Sequence, residues 1–488
     1  MSSYAALKPI FDEAGQGHVF TFWDSIKDDS QKQSDLLTAL SGIDPARCNR
    51  IFKNTVGGGS KDVSGGGGGI KPLPSDSVYS TITGNADEIK KWKHEGLKLI
   101  SENKVGLILL AGGQGTRLGS SAPKGCYDIL LPSHKSLFQL QGERIARLQK
   151  VAESTFNKPE NTVIIPWYVM TSGPTRKPTE SYFKEHRYFG LIPENVMFFE
   201  QGVLPAFDST GKIFMENEYT PAVAPDGNGG IYAALRKEGV LADLSKRGIP
   251  YIHAYCVDNC LVKVADPTFM GYCVAKDAEM GCKAVPKTAP NEPVGIICIR
   301  DGKYGVVEYS EMDAALSAER DSNGGLVYQA ANIANHFYTL DFLSTICSEE
   351  FEGKLDYHIA RKKIKHVDLA SGKMVSPDKP NGIKLEMFIF DVLPHATKVA
   401  VLQVARAEEF SPLKNAPGSP DGDSPDTSRS DIMKQHKRFL EAVGCSIVNG
   451  DEGSEDVVEI SPLVSYEGEG LESFAGKSVK TPIHITSV

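Results

Sequence analysis

The sequence predicts an α/β fold whose centre is a mostly parallel sheet. Three observations carry that expectation. Short apolar runs recur through the middle of the chain, the first being Val105–Leu110. Helical stretches such as Gln141–Ser154 and Ile231–Lys237 lie between several of them. The first run is broken at once by Gly112 and Gly113. A six-residue apolar run suits a strand buried on both faces, and strands alternating with helices point to parallel pairing.

The elements follow in order. Residues 1–53 read as helical and partly amphipathic, with Leu36, Leu37, Leu40 and Ile43 as apolar positions. The tract Gly57–Gly69 holds two glycine runs and reads as a mobile loop. Ala86 to Asn103 reads as a helix with Asn85 as its N-cap, because Ile89, Trp92, Leu97 and Ile100 fall near one face. After Val105–Leu110, strand-like runs recur at Val163–Met170, Val196–Phe199, Tyr251–Val257, Val294–Ile299 and Lys384–Phe390. Asp301-Gly302 between two such runs marks a hairpin. A break follows Phe410, and residues 415–430 are rich in Pro, Gly, Ser and Asp, as in a solvated linker. A helix over Asp431–Val443 and an alternating tail from Val457 close the chain. The layout is a helical N-terminal region with a glycine-rich insertion (1–104), a large α/β domain (105–410) and a small C-terminal domain (411–488).

With 41% hydrophobic and 24% charged residues over 488 positions, the chain has enough apolar side chains for a sizeable core. That excludes a wholly disordered or fibrous protein. The net charge is −9, from 53 basic and 62 acidic residues. This balance argues against non-specific binding of nucleic acid or an anionic membrane. An anionic small substrate stays open, since a few cations in a cleft suffice. No apolar run approaches the roughly 20 residues of a membrane helix, and the N-terminus lacks the features of a signal peptide. Nine cysteines without a Cys-x-x-Cys pattern read as reduced thiols in a cytoplasmic compartment.

The glycine segment is the most informative stretch. It reads Leu110-Ala111-Gly112-Gly113-Gln114-Gly115-Thr116-Arg117-Leu118-Gly119, then Pro123-Lys124-Gly125. A buried strand ending in glycines presents bare backbone N–H groups at the carboxyl edge of a sheet, where ligands bind in open α/β folds. Phosphate oxygens can approach such donors closely. Arg117 adds a planar fork and Lys124 a mobile point charge. Two other glycine loops fail on spacing: a dinucleotide fingerprint needs glycine where Leu118 stands, and a Walker A loop needs Gly-Lys where Lys124-Gly125 stands.

This segment resembles the signature of eukaryotic UDP-N-acetylglucosamine pyrophosphorylases. The resemblance continues through Glu200-Gln201-Gly202, Ala224-Pro225-Asp226-Gly227-Asn228-Gly229-Gly230, Cys256-Val257-Asp258-Asn259, Ala331-Asn332-Ile333-Ala334-Asn335-His336-Phe337 and Phe410-Ser411-Pro412-Leu413-Lys414-Asn415. It spans about residues 90–415. UDP-glucose pyrophosphorylase relatives typically carry a variant glycine loop. The resemblance implies a nucleotidyltransferase Rossmann-like centre and transfer of UMP from UTP to N-acetylglucosamine-1-phosphate, with Mg²⁺ as cofactor.

It also implies roles for individual residues. Leu110, Ala111, Gly112, Gly113, Gln201 and Gly227 would hold the nucleotide, Gln201 through its amide at the uracil edge. Read alone, a Gln after a strand is an ordinary turn residue. Asn228, Glu308, Asn332, Phe388 and Phe390 would meet the sugar, although core packing is the stronger reading for at least one of the two phenylalanines, which alternate on the expected strand. Asp258, at the end of the run Tyr251–Val257, would bind the metal; Asp391 is a second candidate. Arg117, Lys124 and Lys414 would act on the phosphates. Ala331 departs from an Ala-Gly step frequent in relatives and adds a methyl near the expected sugar pocket. Two alternatives stand beside this function. One is a uridylyltransferase for another sugar-1-phosphate, glucose or N-acetylgalactosamine. The other is a non-catalytic nucleotide-sugar binder, which would usually have lost the cations present here. Either a monomer or a homodimer is compatible with these residues.

Overall fold

The computed structural model describes residues 3–56, 69–355, 357–450 and 456–487. They form two units. One comprises Met1–Gly66, Gln201–Ala234 and Ile346–Val392; the other comprises Gly67–Glu200, Leu235–Thr345 and Leu393–Val488. The glycine tract Gly57–Gly69 lies, Gly69 apart, outside the described residues.

The second unit is built on an 11-stranded sheet. Its strands are β1 (Ile70–Lys71), β2 (Val78–Ser80), β3 (Val105–Leu110), β4 (Trp167–Thr171), β5 (Val196–Glu200) and β6 (Tyr251–Cys256). They continue with β7 (Met280–Pro286), β8 (Ile296–Arg300), β9 (Lys303–Val307), β10 (Ala330–Thr339) and β11 (Val399–Gln403). The main order is β2-β11-β7-β10-β6-β3-β4-β5, and β8 pairs with β1, β9 and β10. The run β6-β3-β4-β5 is parallel throughout, as is β7-β11-β2, while β10 lies antiparallel between β6 and β7. The ends of β3 and β6 and the start of β10 therefore share one edge of the sheet. All six residues of β3 are buried, as a strand covered on both faces requires.

Helices α1 (Ala86–Ser101), α2 (Leu137–Thr155), α3 (Pro267–Ala275) and α4 (Pro425–Ala442) belong to the same unit. Asn85 caps α1 as expected: its Oδ1 accepts from the Asp87 N–H at 2.8 Å. Trp92, Leu97 and Ile100 bury the apolar face, and Trp92 meets Tyr272 of α3 edge-on at 4.9 Å. The Asp301-Gly302 turn joins β8 to β9 with both residues at positive φ, 51° and 80°. That is the geometry a two-residue hairpin favours.

Three expectations need correction. Val163–Met170 is a strand only from Trp167. Pro166 has no N–H, and the N–H groups of Val163, Ile164 and Ile165 are taken by the side chains of Glu153, Asn103 and Gln149. Lys384–Phe390 is likewise cut short: the strand is Gly382–Glu386, and the chain then turns. The helix expected from Asp431 starts at Pro425, within the linker-like stretch. Ser424 caps it, accepting from Thr427 N–H while Thr427 Oγ1 accepts from Ser424 N–H at 2.9 Å. Composition hid this start because Ser, Pro and Asp suit a helix's first turn as well as a loop.

The first unit holds the N-terminal helices Tyr4–Glu13, Ser30–Ser41 and Pro45–Val56. Leu36, Leu40 and Ile43 are buried with Phe11, Phe207 and Leu385, whereas Leu37 is half-buried. In the second unit the alternating tail forms two short parallel pairs, Ser446–Val448 with Ser478–Lys480 and Val458–Ile460 with Ile483–Ile485. Among the described residues no helix is long and apolar enough to cross a membrane. All nine cysteines are free thiols.

Three histidines of the second unit are buried as neutral rings. His253 is lowered from 6.5 to about 4 by burial, with the charge of Lys283 adding to it. Its Nδ1 accepts from the Ala265 N–H at 3.0 Å, so it has no room for a proton there. Burial lowers His336 and His436 to about 3. Below pH 6.5 the unfolded chain binds protons that the native chain refuses. Stability should therefore be full above pH 6.5 and decline as the pH falls toward 4, by on the order of 3 kcal/mol from His253 alone. Melting temperature measured across that window checks this, and a level profile would contradict it.

Candidate active site

The glycine segment leaves the sheet at the end of β3. Val257 N–H still donates to Leu110 O at 3.1 Å and Ala111 N–H to Met170 O at 2.9 Å, so the ladder holds to its last residue. Beyond it, Ser172 Oγ donates to Gly112 O at 2.6 Å. The loop then closes on itself: Gly115 N–H donates to Ala122 O at 3.0 Å, and Lys124 N–H to Gly113 O at 3.1 Å. Gly113 is exposed, and a Cβ built there would meet nothing within 4 Å. Its φ is not positive, so neither packing nor backbone geometry demands glycine at this position. The open space is what a close-approaching ligand would use. Arg117 is exposed and makes no ion pair among the described residues. Gly125 has the opposite reason for being glycine. A Cβ there would lie 2.2 Å from the Phe138 ring of α2, so the backbone beside Lys124 is pressed onto that helix.

Asp258 follows β6 on a loop fixed by α2. Gln141 Nε2 donates to Val257 O at 3.1 Å, and Arg144 Nη1 donates to Cys260 O and Val262 O at 3.0 and 3.1 Å. The segment Phe410–Lys414 lies alongside, with Leu413 N–H donating to Asp258 O at 2.8 Å. Lys124 reaches both pieces: its Nζ lies 3.4 Å from Asp258 Oδ2 and 3.2 Å from Leu413 O. The next residue, Lys414, has its Nζ 3.7 Å from Asp423 Oδ2. Burial pushes the Cys256 thiol up and Asp258 adds to the rise, while Lys124 and Lys414 pull it partly back. Both ammonium groups thus act on the same end of β6. Asp423 is raised by its own partial burial, against the pull of Lys414.

Glu308 and Asn332 meet around Gly295. Asn332 N–H donates to Gly295 O at 2.9 Å, and a Cβ on Gly295 would come within 3.0 Å of Glu308 Oε1. Asn332 stands near the start of β10, where the register with Ala254 opposite His336 runs toward Asp258's end of β6. Asn332 Oδ1 accepts from Ala334 N–H at 3.2 Å. Ala331 is fully buried in the apolar core, opposite Val285 and Ile296. Its methyl is therefore absorbed by packing, on the strand face opposite to Asn332.

The remaining candidates belong to the first unit. Gln201 is half-buried. Gly227 has φ 87°, and a Cβ there would lie 2.2 Å from Met387 O, so no other residue fits. Asn228 Oδ1 accepts from Ile389 N–H at 2.8 Å, which leaves its Nδ2 as the available group. Phe388 and Phe390 do not alternate on a strand. They sit in a turn with rings stacked 5.2 Å apart, Phe390 being 7% exposed and Phe388 the more open. Asp391 is engaged by Phe388 N–H at 2.6 Å and by His358 Nε2 at 3.2 Å, so its carboxylate serves the turn.

Three neighbours have no role assigned by the sequence. Asn259 stands in the motif Cys256-Val257-Asp258-Asn259 without a function of its own. Gly295 lies inside an apolar run, and Asp423 inside a linker-like stretch that carried no distinguishing signal.

A parallel sheet with a glycine loop and convergent cations at its carboxyl edge is a nucleotide-binding arrangement, and the architecture is a nucleotidyltransferase fold. The chain belongs to the UTP--glucose-1-phosphate uridylyltransferase family, whose description matches residues 67–420. It is 45% identical over 479 residues to the UDP-N-acetylglucosamine pyrophosphorylase of Saccharomyces cerevisiae, covering 96% of this chain and 97% of that one. It is 43% identical to the human UDP-N-acetylhexosamine pyrophosphorylase-like protein 1, over 99% of this chain and 97% of that one. The crystal structure of the uridine diphosphate N-acetylglucosamine pyrophosphorylase from Trypanosoma brucei in complex with an inhibitor matches with a TM-score of 0.83. Identity is 32%, over 97% of this chain and 95% of that one. The likeness thus reaches well beyond residues 90–415, into the N-terminal region.

Because Gly113 is dictated by neither packing nor φ, Gly113→Val should fold with a melting temperature near wild type. Its turnover should fall by about 10²-fold or more, because the new side chain fills the open space and holds a phosphate off the loop's N–H groups, on the scale of losing one donor to a reacting group. Melting curves and initial rates on the same preparation test this.

Proposed function

We propose that this protein joins UTP to N-acetylglucosamine-1-phosphate, forming UDP-N-acetylglucosamine and releasing pyrophosphate. The observation that carries the reading is the meeting of Lys124, Asp258 and the Leu413-Lys414 segment beside the glycine loop, in a chain of this family. Both reactants are polyanions, so catalysis consists mainly of positioning and charge neutralisation. A sugar-phosphate oxygen attacks the α-phosphorus in line, and the bond from that phosphorus to the pyrophosphate oxygen breaks. No covalent intermediate with the protein is needed.

The backbone N–H groups of the glycine loop cradle the phosphates, and Arg117 and Lys124 hold the triphosphate. Lys414 supports the charge that develops on the α-phosphoryl group. Its partner Asp423 is exposed to a similar degree, 40% and 36% for the two side chains. Such a pair is worth at most about 1 kcal/mol, so a phosphate can displace it. Glu308 and the Asn332 Nδ2 group bind sugar hydroxyls, the Asn332 Oδ1 being taken by Ala334 N–H. The roles of Gln201, Gly227, Asn228 and Phe388 toward uracil and sugar rest on the resemblance.

Asp258 suits a magnesium ion of the kind carried by substrate. Among the described residues no group of three or more His, Cys, Asp or Glu could form a protein cage for a metal. A single partly exposed carboxylate beside phosphates is the arrangement Mg²⁺ commonly takes. When bound, the ion withdraws charge from the phosphate oxygens it contacts.

A pyrophosphate-release assay with UTP, Mg²⁺ and N-acetylglucosamine-1-phosphate tests the proposal. The glucose and N-acetylgalactosamine analogues should give lower kcat/KM. Absence of turnover with all three sugars would refute it. Lys414→Ala should cut kcat by about 10²-fold or more while shifting uridine nucleotide affinity little. Asp258→Asn should lose the dependence of rate on Mg²⁺ along with most of the rate.

A further inference from the structure

Asp258 and Lys414 come from separate pieces of chain, and one buried side chain fastens the pieces together. Asn259 is 4% exposed. Its Oδ1 accepts from Ser411 N–H at 3.0 Å and from Leu261 N–H at 3.3 Å. Its Nδ2 donates to Glu409 O at 2.7 Å. Around it, Cys260 N–H donates to Ser411 O at 2.9 Å, and a β-bridge pairs Asn259 with Pro412. The amide thus grips the strap Glu409–Lys414 on both sides of Phe410.

The strap is anchored at each end. Upstream, the Glu409 carboxylate is held by Lys283, which is fully buried and also bonds Asp266 Oδ2 at 2.6 Å. Lys283 stands where β7 slips register against β10, between Cys282 and Ala284. A bulge of this kind re-aims a side chain. Nearby, Lys263 lies 3.9 Å from Glu409 and 3.1 Å from Glu467, and Lys93 lies 2.6 Å from Glu467. Downstream, Ser411 Oγ donates to Asp431 Oδ2 of α4 at 2.8 Å, and Lys414 N–H donates to Asp423 O at 2.7 Å.

We propose that Asn259 is a positioning residue for phosphoryl transfer, fixing Lys414 relative to Asp258 and Lys124 without touching substrate. This rests on the uridylyl-transfer reading. The physical basis is direct. Lys414 lies on the strap at an exposed pair with Asp423, which is too weak to set its place. The placement comes from the backbone behind it, and Asn259 supplies the buried side-chain contacts to that backbone. A displacement of about 1 Å at a reacting group costs on the order of 10²-fold in rate. An asparagine that only stabilised the core would affect melting and leave kcat alone.

The test compares wild type, Asn259→Ala, Lys414→Ala and the double variant by pyrophosphate release. Asn259→Ala should lower kcat by about 10²-fold with the KM for UTP within about threefold. The double variant should be no slower than Lys414→Ala by more than about twofold, because Asn259 acts through Lys414. Wild-type kcat in Asn259→Ala, a loss confined to KM, or a double variant slowed by the product of the two single effects would each overturn the proposal. Asn259→Asp keeps the shape and both acceptor contacts but loses the donor to Glu409 O. It should show the same kcat-directed loss if the alanine variant fails to fold, and normal kcat there would also overturn the proposal. Unchanged kcat in Lys414→Ala would instead sink the assigned role of Lys414, a separately readable outcome.

Discussion

The backbone hydrogen bond from Leu413 to Asp258 ties together segments that are far apart in sequence, and the candidate site depends on that seam. It places a loop after β6 beside a strap that follows β11. Lys124, from the loop after β3, then spans both pieces with one ammonium group. A cation and a carboxylate drawn from different strands can share the edge of a sheet only if their backbones are immobilised first. Gln141, Arg144 and Asn259 do that by bonding main-chain carbonyl and amide groups that a loop would otherwise leave to water. Side chains that touch no ligand therefore decide where the reactive ones stand.

The site also shows how its charges are kept available. Lys124 sits at a long 3.4 Å from its carboxylate, and Lys414 at 3.7 Å from Asp423. Both contacts are loose and partly wet, in contrast with the tight, dry contacts of Lys283. The interior lysine is committed to its partners, whereas the edge lysines can exchange theirs for phosphate. Burial is what separates the two kinds of ion pair.

Much of this was legible in the sequence because its signals are local. Val105–Leu110, the Asn85 cap and the Asp301-Gly302 turn each follow from a few adjacent residues and matched the structure closely. So did the order of motifs that identifies the family. What could not be read was set by partners distant in the chain. Val163–Ile165 looks like a strand until Glu153, Gln149 and Asn103 claim its N–H groups. Phe388 and Phe390 look like alternating strand residues until Asp391 closes a turn around them. Ala331 looks like a pocket residue until the pairing of β10 with β7 directs its methyl into the core. Asn259 was in view, but its role depends on Glu409 and Ser411, which no spacing rule connects to it.

The cluster of Lys93, Lys263, Lys283, Asp266, Glu409 and Glu467 draws three cations and three anions into one contiguous network. One of those anions, Glu467, comes from the last segment of the chain. That tail therefore supplies a counterion to the interior of the second unit. Trimming it would strand Lys263 without its nearest carboxylate, and the imbalance would reach Glu409 through the lysine they share. A charge lost at the buried Lys283, Asp266 or Glu409 would leave its partners uncompensated in the interior, whereas the half-exposed Lys93 could be lost at little cost.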